Sequence, residues 1–363
     1  TLINAGVLDV SGLLADTSDV VVATNAIYKL GQSDVVRSIS GAGNIQLGNK
    51  TLTAGSVTNN AFSGSMSGLG GNFVKTGSGT LTLSGANTFT GSTTISQGQL
   101  TLGNDFGIGA LSINDGTVLD LNGNSFTGNQ INVAGLGIAG SGAIVDNGLS
   151  VFNSPIYLTG DTTLKNSAGL TFNEVINGGD KNLSLESDGT VIINGPVGAN
   201  PNNLRTTSNI NPYALTISAS TIQINNNIAT NQNQTYNAAN VVIGGVNPTV
   251  TMLSLNPNIT FSGAINDSVR GAHSLDLKSI ATGDYSTINS PQINLNGAVG
   301  NITPLGNLTL AAFYDPAPQV SFGALPTLDT SPFYTGTINA TGNMSATQSL
   351  TLVGQDFNLN DAV

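Results

Sequence analysis

The sequence predicts an all-β chain, a parallel β-helix in which 363 residues wind into about 15 to 18 coils of about 20 residues each. Three observations predict it: a strand phrase that recurs at fixed spacing, a glycine soon after each copy, and a surface built from uncharged polar residues. The phrase is an apolar–polar–apolar couplet at Leu81-Thr-Leu83, Leu100-Thr-Leu102 and Leu119-Asp-Leu121, a period of 19 residues. Alternation of this kind points both leucines of a couplet to one side of a strand and the middle residue to the other. Gly85, Gly103 and Gly123 follow, where the chain must bend with little steric resistance. An apolar spacing of two, interrupted by glycine in nearly every window, excludes helices. An antiparallel sandwich is the alternative, but it needs different partner strands and no fixed period.

Composition carries the third observation. Only 8% of residues are charged, 39% are hydrophobic, and there are 46 Gly. A core can therefore be buried, while Asn, Thr, Ser and Gln must cover the outside, in tracts such as Thr221-Ile-Gln-Ile-Asn-Asn-Asn227. A globular core stops growing near about 250 to 300 residues, whereas a solenoid lengthens in one dimension.

Proline divides the chain, because all 12 Pro lie at or after Pro155. Residues 1–154 read as regular coils. Residues 155–363 read as a continuing β-helix with longer excursions, at Asn200 to Ser208 and from Asp315 to Pro332. Within this second region, Val191 to Gly198 followed by Ala214-Leu-Thr-Ile217 matches Ile293 to Gly300 followed by Asn307-Leu-Thr-Leu310, a degenerate repeat with a longer spacer in its first copy.

A net charge of −11, with nine Lys and Arg scattered singly, argues against nucleic acid or anionic lipid as partner. No apolar run approaches the roughly 18 residues of a membrane span. The absence of Cys removes disulfides and thiol chemistry. The start at Thr1-Leu-Ile-Asn-Ala5 carries no signal-peptide pattern, so a processed product or an internal piece of a longer protein is expected.

The stretch Gly77-Ser-Gly-Thr-Leu-Thr-Leu-Ser-Gly-Ala-Asn-Thr-Phe-Thr-Gly-Ser-Thr-Thr-Ile-Ser-Gln-Gly-Gln-Leu-Thr-Leu-Gly-Asn104 resembles the passenger-associated repeat of bacterial autotransporters. Ser38-Ile-Ser-Gly-Ala-Gly-Asn-Ile-Gln-Leu-Gly-Asn49 is similar to the phrase that often precedes it, so the resemblance covers roughly residues 38–104. Gln234 to Gly244 and Ile259 to Gly263 look, more loosely, like haemagglutinin-like surface proteins. The resemblance implies a right-handed parallel β-helix, export across the outer membrane, a place outside the bacterial cell or on its surface, and a role as stalk, adhesin or coat. It implies no catalytic residues and no cofactor for this segment. The C-terminal membrane barrel of a full autotransporter is not seen near Phe357 to Val363.

Several motifs admit a chemical reading beside a bland one. Gly135-Leu-Gly-Ile-Ala-Gly140 fits a dinucleotide fingerprint, but strand and turn character after it argues for chance. His273, the single histidine, is expected at a solvated coil edge. Among the carboxylate pairs Asp16 with Asp19, Asp115 with Asp120 and Glu186 with Asp188, only the last is expected to share a strand face. Asn114-Asp-Gly116 reads as a tight turn rather than a calcium site.

The function expected is non-catalytic and structural: a passenger or stalk used in adhesion, a surface layer or an extracellular fibre. Carbohydrate binding or cleavage is the alternative, with Phe313, Tyr314, Phe333 and Tyr334 as rings that stack on sugars or else pack under a loop. Both chain ends read as strand-like sequence, so continuation in a longer parent chain, or end-to-end stacking of copies, is expected. A host-surface or glycan ligand is the further partner class.

Overall fold

The computed structural model describes residues 1–104, 109–126, 128–198, 211–256, 258–282, 290–315 and 336–359. Every strand pairing within them that joins neighbouring coils is parallel. The protein is a parallel β-helix, and among the described residues its only helical turn is a 3-10 turn at Ile138–Gly140. Two compact units divide the chain, Thr1–Ala168 and Gly169–Val363.

In the first unit, strands stack on three faces. The first face runs through Asp19–Val22, Ser38–Gly41, Asn60–Phe62, Thr80–Leu83, Gln99–Leu102, Val118–Asp120 and Ile144–Asp146. The second runs through Asp34–Val36, Thr51–Ala54, Asn72–Lys75, Thr93–Ile95, Ala110–Ile113 and Gln130–Gly135. Four strands form the third, Val7–Val10, Ile27–Leu30, Asn44–Gln46 and Ser65–Ser67. The long strand Ile156–Asn166 pairs with the second face through its start and with the first through its end. That double pairing keeps residues beyond Pro155 in this unit.

Alternation builds the core. Leu81 pairs with Leu100 and Leu100 with Leu119, so one inward column is leucine in three successive coils. A neighbouring column runs Phe62, Leu83, Leu102, all at most 1% exposed. Each coil adds about 4.8 Å of rise and satisfies its backbone groups against the coils on either side. The glycines after the couplets serve different ends. A Cβ on Gly85 would collide with the Gly64 carbonyl of the preceding coil, whereas Gly123 has open space but a φ of +78° that L side chains rarely adopt. Gly103 lies against Ser84 of the coil below.

Corners vary while the strands hold register. Between the second and first faces the corner is Arg37 alone in one coil, then residues 55–59, then 76–79, then 96–98.

The second unit repeats the plan with longer coils. Its first face comprises Leu183–Ser187, Leu215–Ser218, Gln234–Asn237, Asn258–Phe261, Gln292–Leu295, Thr337–Ala340 and Asp356–Leu359. The second comprises Gly169–Phe172, Thr190–Ile193, Thr221–Ile224, Asn240–Ile243 and Ala264–Asp267. The third comprises Ile228–Thr230, Thr249–Ser254, Ser274–Thr282, Leu305–Asp315 and Ala346–Val353. The related phrases at 191–198 and 293–300 thus begin on different faces, the second and the first. An alternating strand closed by a glycine turn suits any face, so the phrase itself does not fix which one it joins. The excursion at 200–208 and nearly all of that at 315–332 lie outside the described residues.

Candidate functional site

The most specific local chemistry lies in the coils around Asn72–Lys75 and Gln99–Leu102. Phe73 points inward by alternation, and so, two residues on, does Lys75, which is 1% exposed in a column between Ala54 and Ile95. Its Nζ donates to the carbonyls of Thr76 at 2.8 Å, Gly77 at 2.8 Å and Gln97 at 2.9 Å. Three donors meet three acceptors, two in its own corner and one in the corner of the next coil. Burial pushes the amine down to about 8.

Side-chain amides join the same coils. Asn72 Oδ1 accepts from the backbone N–H of Ser92 at 2.8 Å and from its hydroxyl at 2.9 Å. Asn87, 7% exposed, accepts from Met66 N–H at 3.0 Å and donates to the Gly85 carbonyl at 3.0 Å. Gln97 Oε1 accepts from Gly77 N–H at 3.1 Å. These groups clamp each turn to the coil before it, a structural chemistry in which the buried amine is held rather than presented.

Two further buried networks have the same character. Tyr28 donates to Asp34 Oδ2 at 2.7 Å, and the same oxygen accepts from Leu14 N–H at 3.2 Å. Burial, and the carboxylate beside it, hold the Tyr28 hydroxyl well above its usual range. His273 is 7% exposed, not solvated as expected. Its Nδ1 lies 2.5 Å from Asp267 Oδ1 and its Nε2 lies 3.0 Å from the Gly245 carbonyl oxygen of the preceding coil, so each ring nitrogen faces an acceptor inside the stack.

The other sequence candidates are dispersed. Asp16 lies in an exposed turn, whereas Asp19 is bound by Arg37. Asp115 is exposed in a turn, and Asp120 accepts from Gln99, Thr101 and the Asn122 N–H. Glu186 is the penultimate residue of its strand, which ends at Ser187, and Asp188 lies beyond the strand in the following bend, so period two does not carry the pair onto one face. Asn114 to Thr117 is a tight turn closed by Thr117 Oγ1 on the Asn114 carbonyl at 2.7 Å. Gly135 to Gly140 leads from a strand into the 3-10 turn, with no α-helix to present an N-terminus. Among the described residues no group of three or more His, Cys, Asp or Glu is placed to hold a metal ion.

Phe313 is 6% exposed and packs with Ala229, Leu253, Ile280 and Ala311, under the third face of the second unit. Phe333 and Tyr334 lie outside the described residues, as does the side chain of Tyr314. Sequence reasoning missed Lys75 and Asp267. For Lys75 a signal was available, because Phe73-Val-Lys75 continues the alternation that buries Phe73.

Residues 73–102 match the family model described as the passenger-associated-transport-repeat. The chain is autotransporter passenger-like. The matched segment spans the Lys75 clamp and the Leu81–Leu100 pairing, so in this passenger-like chain the repeat is one coil closed on the next. The match lies within residues 38–104, where the sequence resemblance falls. No curated protein and no solved structure matches the chain. The passenger repeat implies export to the cell surface, and no helix among the described residues is long and apolar enough to cross a membrane.

Proposed function

We propose that this passenger-like chain is a stiff, non-catalytic stalk or spacer of a bacterial surface protein, holding an adhesive or other module away from the cell. The observation that carries the reading is the outward surface, where uncharged side chains bond from coil to coil. Asn294 accepts from Asn339 at 2.7 Å and Asn339 from Asn358 at 2.8 Å. At the corner that follows the second face of the same unit, Asn194 donates to Asn173 at 2.7 Å and accepts from Asn225 at 2.6 Å. Such rows add links between coils beyond the backbone ladder and leave a surface that depends little on salt.

The test is location and exposure on the producing cell. Antibody raised against the isolated chain should label intact cells, and mild external proteolysis should remove the label. Labelling that appears only after lysis rejects the proposal.

A further inference from the structure

An open cleft of about 650 Å³ lies on the first unit where the single-residue corner at Arg37 meets the five-residue corner 55–59 of the next coil. The floor is the outward side of the first face at Asp19, Val21, Ser38 and Ser40, and the wall is Gly55 to Thr58 together with Asn60 at the start of the next strand.

Both parts are pre-organised. Arg37 Nε donates to Asp19 Oδ1 at 2.8 Å, a second guanidinium nitrogen donates to Oδ2, and Ser38 Oγ donates to Oδ1 at 2.6 Å. These donors hold the Asp19 carboxyl well below the usual carboxylate range. In the wall, Thr58 N–H donates to Ser56 Oγ at 3.0 Å, and Asn60 Nδ2 donates to Ser56 Oγ at 3.0 Å and the Thr58 carbonyl at 2.8 Å. Thr80 N–H ties the corner to the next coil through Asn59 Oδ1 at 2.9 Å. Val57, at the tip, is 80% exposed.

We infer that this cleft binds a segment of a neutral oligosaccharide. Its two charged side chains, Asp19 and Arg37, neutralise each other, and the rest of the lining is hydroxyl, amide, glycine and valine. An anionic ligand therefore gains no net attraction from a chain of charge −11, and a cation finds its carboxylate already bound. A peptide strand has no edge to join, because the floor is a sheet face whose backbone is paired in the ladder. A polyol fits: adjacent hydroxyls can accept from the guanidinium N–H groups that Asp19 does not take and donate to the hydroxyl and amide oxygens of the lining, while a sugar's C–H face covers Val57. None of Phe313, Tyr314, Phe333 and Tyr334 is among the lining residues named for the cleft, and sugar binding there stands or falls independently of the stalk reading.

The test uses the 363-residue chain with defined neutral oligosaccharides, such as malto-, cello- and xylo-oligomers, and their sulfated counterparts. Amide shifts in the wild-type chain are expected to map to Arg37–Ser40 and Gly55–Asn60 with a neutral sugar. Arg37→Gln and Ser40→Leu should each weaken binding by about tenfold or more with little change in melting temperature. Absence of binding across the panel, shifts that map elsewhere, tighter binding of the sulfated sugars, or unchanged affinity in both folded variants overturns the inference.

Discussion

A lysine among aliphatic neighbours is costly to bury unless its ammonium is fully hydrogen-bonded, and Lys75 meets that condition with three backbone carbonyls. Lys75→Met keeps the side-chain bulk but leaves those carbonyls without their donor, and should lower stability by on the order of 2–4 kcal/mol at pH 7 in denaturant melts. The pH dependence has a definite sign. The folded chain releases the Lys75 proton near 8, whereas an unfolded lysine keeps it to about 10.5. Between these values the unfolded state binds more protons, so Lys75 contributes stability that rises with pH across the window. Melts of wild type and Lys75→Met at pH 7.5 and 10 should therefore diverge further at the higher pH. Equal differences at both would show that burial does not tune this amine.

Within a strand, position parity decides consequence. Leu100 is fully buried between Leu81 and Leu119, while Thr82 faces outward opposite Ala61 and Thr101. Leu100→Asp should cost several kcal/mol and shift the denaturation midpoint strongly, whereas Thr82→Asp should stay within about 1 kcal/mol. Thr101 makes a poorer control, since it lies opposite Asp120 and an aspartate there would face a like charge. The 19-residue spacing that pairs these leucines was legible because alternation and a fixed period are both written in residue order. Which face a phrase joins was not, because the strands at 191 and 293 carry the same local pattern and only the count of preceding corners separates them. His273 was misplaced for a related reason: its burial depends on Asp267 and on the Gly245 carbonyl one coil earlier, and nothing in the local sequence brings these together. The cleft beside Arg37 was equally hidden, arising from the difference in length between two neighbouring corners.

For the molecule as a stack, the coil rather than the residue is the unit of removal. Deleting Leu100 to Val118, 19 residues, joins Gln99 to Leu119 in the register that already pairs Leu100 with Leu119. The next coil then docks on the one before, and since solenoid stability is nearly a sum of neighbour terms, the shortened first unit should still melt cooperatively within a few degrees of the parent. Deleting Leu100 to Gly109, ten residues and about half a coil, should instead abolish cooperative melting, because the following strands meet the wrong faces. Matching melts for the two deletions would contradict the register. The unequal corners bear on inheritance. Backbone ladders and inward columns constrain the strands, but corner segments of one to five residues are carried by the same ladders, and lengthening such a segment costs little loop entropy. A lineage can therefore rewrite what its corners present, and so what its surroundings recognise, while passing on the underlying stack unaltered.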